Sequence, residues 1–404
     1  MEYNVQLNKL STYIYRGKQP KYATEGIPVI NQKAIQWDTF DKSVLKYHDE
    51  NKKVDKRHFI KKNDVLINST GTGTVGRVYH INYEPDLMFA DSHITIVRTN
   101  EELLMSRFLY YQMRTTQFQA MILNEFLAGS TGQVEFNKSM IEKLPINVPS
   151  ISYQYKVVNI LSKLDKKIET NKKIIANLEE LSQTLFKRWF VDFEFPDENG
   201  NPYKSSGGEM VDSELGEIPR SWKVDELGNY IKIKSGKRPK NKVDKKDIEN
   251  VVPIIGASKI MGYTNDYLYN EKIIIIGRVG THGVIQRFST RTWPSDNTFV
   301  ITSDFESIIY QVLKSIDYIS LNRGSTQPLL SQKDIKNTKV VMPTNATLLS
   351  KYQKENNHIL KMIDQKNIEN QKLAQLRDTL LPKLMSGEIE IPDDIEVMED
   401  ELSI

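Results

Sequence analysis

Apolar residues recur at two different spacings along the 404-residue chain, and each spacing predicts a different element. Short runs rich in β-branched side chains, bounded by turn residues, occur at residues 64–69 and 93–97 and again at 273–276 and 298–302. Such runs are typical of strands. Between residues 102 and 124 the apolar positions fall three and four apart, which predicts a helix. The chain therefore combines strand-rich blocks with helices.

Both the strand-rich block and a long helical stretch occur twice. At an offset of 199 residues the stretch from Gln154 matches the stretch from Gln353, in the pairs Ile160 and Ile359, Leu161 and Leu360, Asp165 and Asp364, Lys167 and Lys366, Asn171 and Asn370, Lys173 and Lys372, Leu181 and Leu380, and Leu185 and Leu384. The blocks share turns, namely Gly17-Lys18-Gln19-Pro20 with Gly236-Lys237-Arg238-Pro239, Gly73-Thr74-Val75-Gly76 with Gly280-Thr281-His282-Gly283, and Gly129-Ser130-Thr131-Gly132 with Gly324-Ser325-Thr326-Gln327. Duplex DNA has a comparable twofold repetition, so it is the first partner to consider.

A seam runs along each long helix at alternating steps of four and three residues. It holds Ile160, Leu164, Lys167, Asn171, Ile174, Leu178, Leu181 and Leu185 in the first helix and Ile359, Ile363, Lys366, Asn370, Leu373, Arg377, Leu380 and Leu384 in the second. This spacing is typical of a coiled coil, although an amphipathic helix packed on a core stays possible. About 36 residues would span about 54 Å, so such helices suit a spacer.

Both seams are interrupted by a lysine and then an asparagine at equivalent places. In an antiparallel pair, equivalent residues meet only at the midpoint, so we expect Asn171 and Asn370 to face each other and to fix the register. Lys167 and Lys366 should turn their charged ends outward. Pro382 should kink or restart the second helix.

Composition shifts divide the chain further. The predicted segments are a β-rich domain at 1–150, a helix at 151–192, a connector at 193–215, a second β-rich domain at 216–346, a second helix at 347–390 and an acidic tail at 391–404. The connector is rich in proline, glycine and acidic residues, and we expect it to lie outside the core. Residues 216–345 carry 20 Lys and Arg against 13 Asp and Glu, an excess that suits a polyanion but also occurs in proteins that bind none.

Composition also excludes several kinds of chemistry. The chain has no cysteine, which excludes disulfides, thiolate metal ligands and thiol catalysis, and its six histidines show no ligand spacing. Residues 71–76 fit the dinucleotide-binding pattern GxGxxG, but the strand-like residues after them favour a tight β-turn. Asn201-Pro202-Tyr203 lacks the second proline of an amino-methyltransferase loop. We therefore expect a binding protein without catalysis, in the cytoplasm and without a membrane span.

The candidate DNA contacts are polar residues in turns between strands, since arginine and lysine bond guanine edges while asparagine and glutamine bond adenine. In the first domain they are Arg16, Lys18, Gln19, Lys21, Asn31, Gln32, Lys33, Ser69, Thr70, Thr72, Ser130 and Thr131. In the second they are Lys237, Arg238, Lys240, Ser258, Lys259, Arg278, His282, Arg323, Ser325 and Gln327. For any one of them, an ordinary exposed loop residue is an equal alternative.

Three further segments carry a family resemblance. They are Leu185-Phe186-Lys187-Arg188-Trp189-Phe190-Val191-Asp192-Phe193, then Leu215-Gly216-Glu217-Ile218-Pro219 with Trp222, and Leu380-Leu381-Pro382-Lys383-Leu384-Met385-Ser386-Gly387-Glu388-Ile389. With the paired Gly-Ser-Thr turns, they make nearly the whole chain resemble the specificity (S) subunit of type I restriction-modification systems. The first domain departs from the pattern, because it starts at Val5 without a counterpart of Trp222.

The resemblance implies an α+β fold of two β-rich target recognition domains joined by two long antiparallel coiled-coil helices, with pseudo-twofold symmetry. Each domain would read one half of a bipartite double-stranded DNA target, and the helices would set the spacer and dock two methyltransferase (M) subunits. The M subunits would bring S-adenosylmethionine, and restriction (R) subunits would use ATP and Mg. The chain itself would need no cofactor. A standalone DNA-modifying enzyme and a coiled-coil scaffold that does not touch DNA are the alternatives.

Overall fold

A computed structural model of the chain describes residues 4–37, 39–71, 73–126, 135–244, 246–279, 283–321 and 329–392. Its contacts divide the chain into two units. The first unit contains residues 1–169 and 370–404, and the second contains residues 170–369. Within the described ranges, no helix has the length and apolar character needed to cross a lipid bilayer.

Within the described residues, ten strands and three short α-helices form most of the β-rich part of the first unit. The strands are β1 (Asn4–Gln6), β2 (Ser11–Arg16), β3 (Tyr22–Ala23), β4 (Ile27–Ile30), β5 (Lys46–His48), β6 (Val65–Asn68), β7 (Val78–His80), β8 (Phe89–Ala90), β9 (Ile94–Thr99) and β10 (Pro145–Asn147). The helices are α1 (Ser106–Arg114), α2 (Thr116–Met121) and α3 (Lys138–Glu142). The predicted helix at 102–124 is thus interrupted at Thr115, whose hydroxyl accepts the Phe118 N–H and caps α2.

Two four-stranded sheets organise this part of the first unit. One has the antiparallel order β2-β9-β6-β7, and the other has the order β3-β5-β4-β8, in which β4 and β8 are parallel. The central strands β6 and β9 are buried on both faces because their alternate side chains enter two different clusters. Val65 and Val97 pack with α1, whereas Leu66 and Ile96 pack with Ile30 of the second sheet.

The second unit repeats the first of these sheets with new residues, but its second sheet has three strands within the described residues. Its strands are β11 (Met210–Val211), β12 (Ile218–Pro219), β13 (Trp222–Glu226), β14 (Lys232–Ser235), β15 (Val252–Ile255), β16 (Ile260–Thr264), β17 (Ile273–Gly277), β18 (Ile285–Phe288), β19 (Trp293–Pro294), β20 (Thr298–Thr302) and β21 (Lys339–Pro343). The order β14-β20-β17-β18 matches β2-β9-β6-β7, and the parallel pair β15 and β19 matches β4 and β8. The strand predicted at 298–302 is confirmed with those bounds.

In the described part of the sequence after β10 there are four α-helices. The first long helix, α4, spans Ile151–Phe186, and a π-helical turn, Lys187–Val191, comes directly after it. The helices α5 (Glu306–Ser315) and α6 (Gln332–Asn337) cover the second unit's sheets, and the second long helix, α7, spans Ala346–Met385. The helix is continuous through Pro382 and ends three residues later, so the predicted restart at Pro382 is wrong, and the predicted kink stays a prediction.

In each unit the beginning of one long helix packs against the end of the other. In the first unit Val157 and Leu161 share a core cluster with Leu384, and the Tyr153 hydroxyl donates to the Leu384 carbonyl at 2.8 Å. In the second unit Tyr352 packs edge-on against Phe186, with ring centroids 6.4 Å apart. The paired segments therefore run antiparallel within each unit.

The predicted seam is one residue out of place near the end of α4. Leu181 is 52% exposed, whereas its neighbour Ser182 is fully buried. The Ser182 hydroxyl donates to Asn356 Oδ1 at 2.7 Å and accepts from Gln311 Nε2 at 2.7 Å. A polar residue thus occupies the buried position because its hydrogen bonds are made inside the core.

The connector at 193–215 also differs from its prediction, because its aromatic residues belong to the second unit's core. Phe193 and Phe195 are buried, and Phe195 stacks between Trp222, at 5.2 Å between ring centroids, and Tyr203, at 4.6 Å. Beyond them, β11 pairs with β12. The segment joins the helix to the second β-rich region, but it is a packed element and not a loose tether.

Replacing Phe195 by alanine should therefore destabilise the second unit by about 3–5 kcal/mol, since it removes a buried ring between two others. Urea unfolding followed by tryptophan fluorescence measures this cost. Glu198→Ala, an exposed change in the same segment, is the control. A cost below about 1 kcal/mol for Phe195→Ala would show that the segment lies outside the core.

Candidate nucleic-acid interface

Loops from four strands meet at one end of the main sheet in the first unit. The strands β2 and β6 end there, at Arg16 and Asn68, and β9 begins there, at Ile94. Since β7 runs antiparallel to β6, its first residue Val78 lies at the same end. Five predicted contacts, Arg16, Lys18, Gln19, Ser69 and Thr70, lie at or directly after the ends of β2 and β6, so the fold collects residues that are distant in the sequence. We call this end of the sheet the loop rim.

The loop that begins at Gly17 in the first unit and the loop that begins at Gly236 in the second are held by equivalent backbone hydrogen bonds. The Gly17 N–H donates to the Ile94 carbonyl at 2.8 Å, and the Lys18 N–H donates to the Ala90 carbonyl at 3.0 Å. In the second unit Gly236 donates to Thr298 and Lys237 donates to Pro294, each at 3.0 Å.

A side chain cannot be accommodated at either glycine. A Cβ atom on Gly17 would lie 2.1 Å from the Ala90 carbonyl oxygen, and one on Gly236 would lie 2.2 Å from the Ser295 carbonyl oxygen. The glycines therefore allow the loop to lie against the sheet. The exposed side chains of Lys18 and Lys237 consequently project from equivalent backbone positions.

A cluster of neutral polar groups lies next to this loop in the first unit. The Thr70 hydroxyl bonds His93 Nδ1 at 2.9 Å and reaches Gln32 Oε1 at 3.3 Å. The His93 ring is exposed, and its backbone N–H donates to Asp91 Oδ1 at 2.8 Å. Burial raises the pKa of Asp91. The sequence predicted Gln32 and Thr70 but missed His93, which precedes a strand and is a single residue without a spacing pattern.

Charged residues frame the same rim. Arg16 forms an ion pair with Glu135 at 2.8 Å, and Gln19 accepts a hydrogen bond from Ser92 at 2.9 Å. Arg77, which no sequence pattern singled out, donates to Gln36 Oε1 at 2.7 Å and to the Gly73 carbonyl at 2.8 Å. These groups can donate to base edges or phosphates once their present partners are exchanged.

The turn that contains Gly71, Gly73 and Gly76 leads into this rim, and its surroundings do not match the dinucleotide-binding pattern. Gly71, Gly73 and Gly76 have positive φ angles of 96°, 76° and 80°. The next element is the strand β7, so there is no helix N-terminus to meet a pyrophosphate. The prediction of a tight turn is confirmed.

The second unit presents a corresponding rim. Lys237, Arg238 and Lys240 lie on the loop after β14, and Ser258 and Lys259 are exposed on the turn after β15. The Arg278 guanidinium lies 5.5 Å from the Phe299 ring, just beyond the end of β17. Both rims therefore carry several lysine and arginine side chains.

Two predicted contact residues are buried and bonded within the domain. Ser69 is fully buried, and its hydroxyl bonds the Thr95 hydroxyl at 2.6 Å. Asn31 is 9% exposed, donates to the Val44 carbonyl at 2.6 Å and accepts from the Lys33 N–H at 2.9 Å. Both side chains hold the loops in place, and a contact of either with DNA stays a prediction.

The remaining predicted residues divide into two groups. Lys21 and Lys33 are exposed, and the Lys21 N–H donates to His48 Nδ1 at 2.8 Å. Seven predicted contacts lie outside the described residues, and these are Thr72, Ser130, Thr131, His282, Arg323, Ser325 and Gln327.

The four helix residues that were predicted to fix the register differ in their burial and partners. Asn171 is fully buried and Asn370 is partly buried. Lys167 is exposed, and Lys366 forms an ion pair with Glu369 at 2.7 Å. Asn171 belongs to the second unit and Asn370 to the first, so their mutual approach stays a prediction.

The chain matches the family model of the type I restriction modification DNA specificity domain twice, at residues 8–180 and 219–378. It is 28% identical over 323 residues to the type I restriction enzyme MjaIX specificity subunit of Methanocaldococcus jannaschii, covering 72% of this chain and 70% of the relative. It is 25% identical over 406 residues to the HindI specificity subunit of Haemophilus influenzae, covering 82% and 87%.

A solved structure agrees with the fold. The type I restriction-modification S subunit from M. genitalium superposes with a TM-score of 0.56 at 19% identity, over 94% of this chain and 95% of that one. The chain belongs to the family of type I restriction-modification specificity subunits, and the sequence resemblance is confirmed.

The register prediction can be tested directly, because the chain has no native cysteine. A variant with Asn171→Cys and Asn370→Cys should form an intramolecular disulfide on mild oxidation, since bridging needs Cα atoms about 4.4–6.8 Å apart. Non-reducing electrophoresis reports the cross-link. A second pair, Leu178→Cys with Asn370→Cys, is displaced by about 10 Å and should remain open. Equal cross-linking of both pairs would contradict a fixed register.

Proposed function

We propose that each loop rim reads one half of a bipartite DNA target, and that α4 and α7 set the spacing of the two halves. As a specificity subunit, the chain supplies sequence recognition to a restriction-modification complex. The observation that carries the proposal is the repeated loop at Gly17 and Gly236, which has equivalent backbone hydrogen bonds in both units but different polar neighbours. One scaffold with two sets of side chains suits two different half-sites.

The chemistry of the rims supports direct reading of DNA. Lysine and arginine can contact phosphates or guanine, and glutamine can bond adenine in the major groove. The first rim offers Gln19, Gln32 and Thr70 beside Lys18, whereas the second offers Lys237, Arg238 and Lys259. We therefore expect the two half-sites to differ in sequence.

The proposed complex divides recognition from catalysis. Two methyltransferase (M) subunits would dock on the helices and bring S-adenosylmethionine, and restriction (R) subunits would bring ATP and Mg. The chain itself would neither catalyse nor hold a cofactor, and it would act in the cytoplasm. Double-stranded DNA would be its direct partner.

Exchange of one domain tests the two-reader arrangement. Residues 1–150 are replaced by the corresponding domain of a relative with a different target, and methylated motifs are mapped by sequencing genomic DNA from cells that carry the chimera and its M subunits. One half of the motif should change, because the second rim is untouched. The reciprocal exchange of residues 216–346 is the matched control and should change the other half. A change in both halves after one exchange would contradict separate readers.

Charge removal distinguishes phosphate contacts from base contacts. Lys18→Ala, Lys21→Ala or Lys237→Ala should weaken binding to many sequences and reduce the slope of log K against log salt by about 0.9 if the lysine touches a phosphate. Relaxed preference at one base position, with a cost of about 1–3 kcal/mol, would instead assign it to a base edge. Fluorescence anisotropy over a salt series measures both.

The matched control is Lys9→Ala, because Lys9 is exposed but precedes β2 at the end of the sheet opposite the loop rim. It should leave binding and the salt slope unchanged. If Lys9→Ala weakens binding as much as Lys18→Ala, the loop rim is not the contact surface.

A further inference from the structure

We propose that Asp165 and Asp364 are positioning residues, each of which fixes the orientation of one recognition domain on the long helices and thereby sharpens the choice of spacer length. The inference rests on the proposed function. The two aspartates lie at the 199-residue offset, Asp165 on α4 and Asp364 on α7. Both accept polar contacts from the β-rich part of their own unit, although the contacting residues differ.

In the first unit Asp165 joins the domain helix α1 to both long helices. Its Oδ2 accepts the Tyr111 hydroxyl at 2.6 Å, and its Oδ1 accepts Arg377 Nη1 at 3.1 Å. Tyr111 is fully buried, and burial raises the pKa of its hydroxyl well above the ordinary value, so it remains a donor. Arg107, one turn earlier on α1, adds a partly buried positive charge near the same carboxylate.

In the second unit Asp364 joins α7 to the sheet. Its Oδ1 accepts Arg287 Nη1 at 2.7 Å, and its Oδ2 accepts the Ser289 hydroxyl at 3.1 Å. The Arg287 side chain is 7% exposed and also pairs with Glu306 of α5. Although burial alone would lower the pKa of Arg287, the carboxylates of Glu306 and Asp364 raise it above its ordinary value.

We call each aspartate together with its hydrogen-bond donors a clamp. The two clamps use the same carboxylate position on the long helices with different donors. Arg107 lies in the first turn of α1 and Glu306 in the first turn of α5, so the two domain helices present opposite charges there. In the second unit the positive charge comes instead from Arg287, which lies on the strand β18. The helix carboxylate is therefore the constant element, and each domain provides its own donors.

Directional contacts of this kind can hold a domain in one orientation on its helix, which apolar packing alone does not do. Apolar contacts are non-directional and permit small sliding or rotation of a domain on its helix. A charge-assisted hydrogen bond at a partly buried carboxylate penalises such movement, because displacement leaves charged groups unpaired in the interior. A domain that shifts on its helix would tolerate half-sites at incorrect separations, so loss of the clamp should affect spacer choice before base choice.

The test uses Asp165→Asn and Asp364→Asn in the full chain, assembled with the M subunits of its own system. Substrates are duplexes with both half-sites of the motif found by methylation sequencing, at the native spacer and at one and two base pairs shorter or longer. Methyl transfer from labelled S-adenosylmethionine gives the rate ratio of native to altered spacer. A second series keeps the spacer and changes one base in each half-site. Glu142→Gln, which removes a carboxylate paired with Lys138 at 3.4 Å on α3, is the matched control.

Each aspartate variant should lower the preference for the native spacer by about tenfold while base preference within both half-sites stays unchanged. Glu142→Gln should leave both preferences intact. Unchanged spacer preference in both aspartate variants, or an equal loss of base preference, would overturn the inference.

Milder variants keep the test decisive if an asparagine variant fails to fold. Tyr111→Phe and Ser289→Ala each delete one hydroxyl donor to the clamp, and each should broaden spacer choice to a smaller extent. Thermal unfolding identifies which variants are folded. Unchanged spacer choice in the folded hydroxyl variants would overturn the inference. If the unmodified chain shows no bipartite motif, the proposed function itself fails.

Discussion

Each unit depends on one contact, in which the beginning of one long helix packs against the end of the other. Each β-rich domain is built on this pair of helix segments. Leu161 and Leu384 meet in the first core, and Phe186 and Tyr352 meet in the second. A glutamine then ties each helix to its domain. Gln154, which is buried, accepts the Met105 N–H at 2.9 Å, and Gln353, its counterpart in the repeat, donates to the Asp304 carbonyl at 2.9 Å. These contacts place each β-rich domain on its helix pair, and a precise site needs such support from packed elements.

Much of the fold could be predicted from the sequence, because the repeat displays each element twice. The β-branched runs at β6, β9 and β20 were recognisable as strands, and the matched glycines at 17 and 236 marked a loop whose backbone lies against the sheet. Both long helices lie where their periodicity predicts, to within a few residues at their starts. These features are local, and local spacing is what a single sequence records most directly.

The features that could not be predicted depend on packing between distant segments. Ser69 resembles an exposed turn residue, but strand β9 brings Thr95 to its hydroxyl and buries it. Ser182 occupies a buried position that apolar spacing assigned to Leu181, because its partners come from elsewhere in the chain. The same holds for Phe195 in a connector whose composition resembles a loose linker. His93 could not be identified as part of the rim until the sheet placed it beside Thr70.

The central claim is that the chain gives a complex two separate readings at a fixed distance. Base-resolution methylation sequencing of cells that express the chain with its methyltransferase partner tests this most directly. We expect a single motif of two specific blocks, different from each other, separated by a spacer of constant length and random sequence. A continuous motif, a motif with variable spacing, or methylation without sequence preference would contradict the claim.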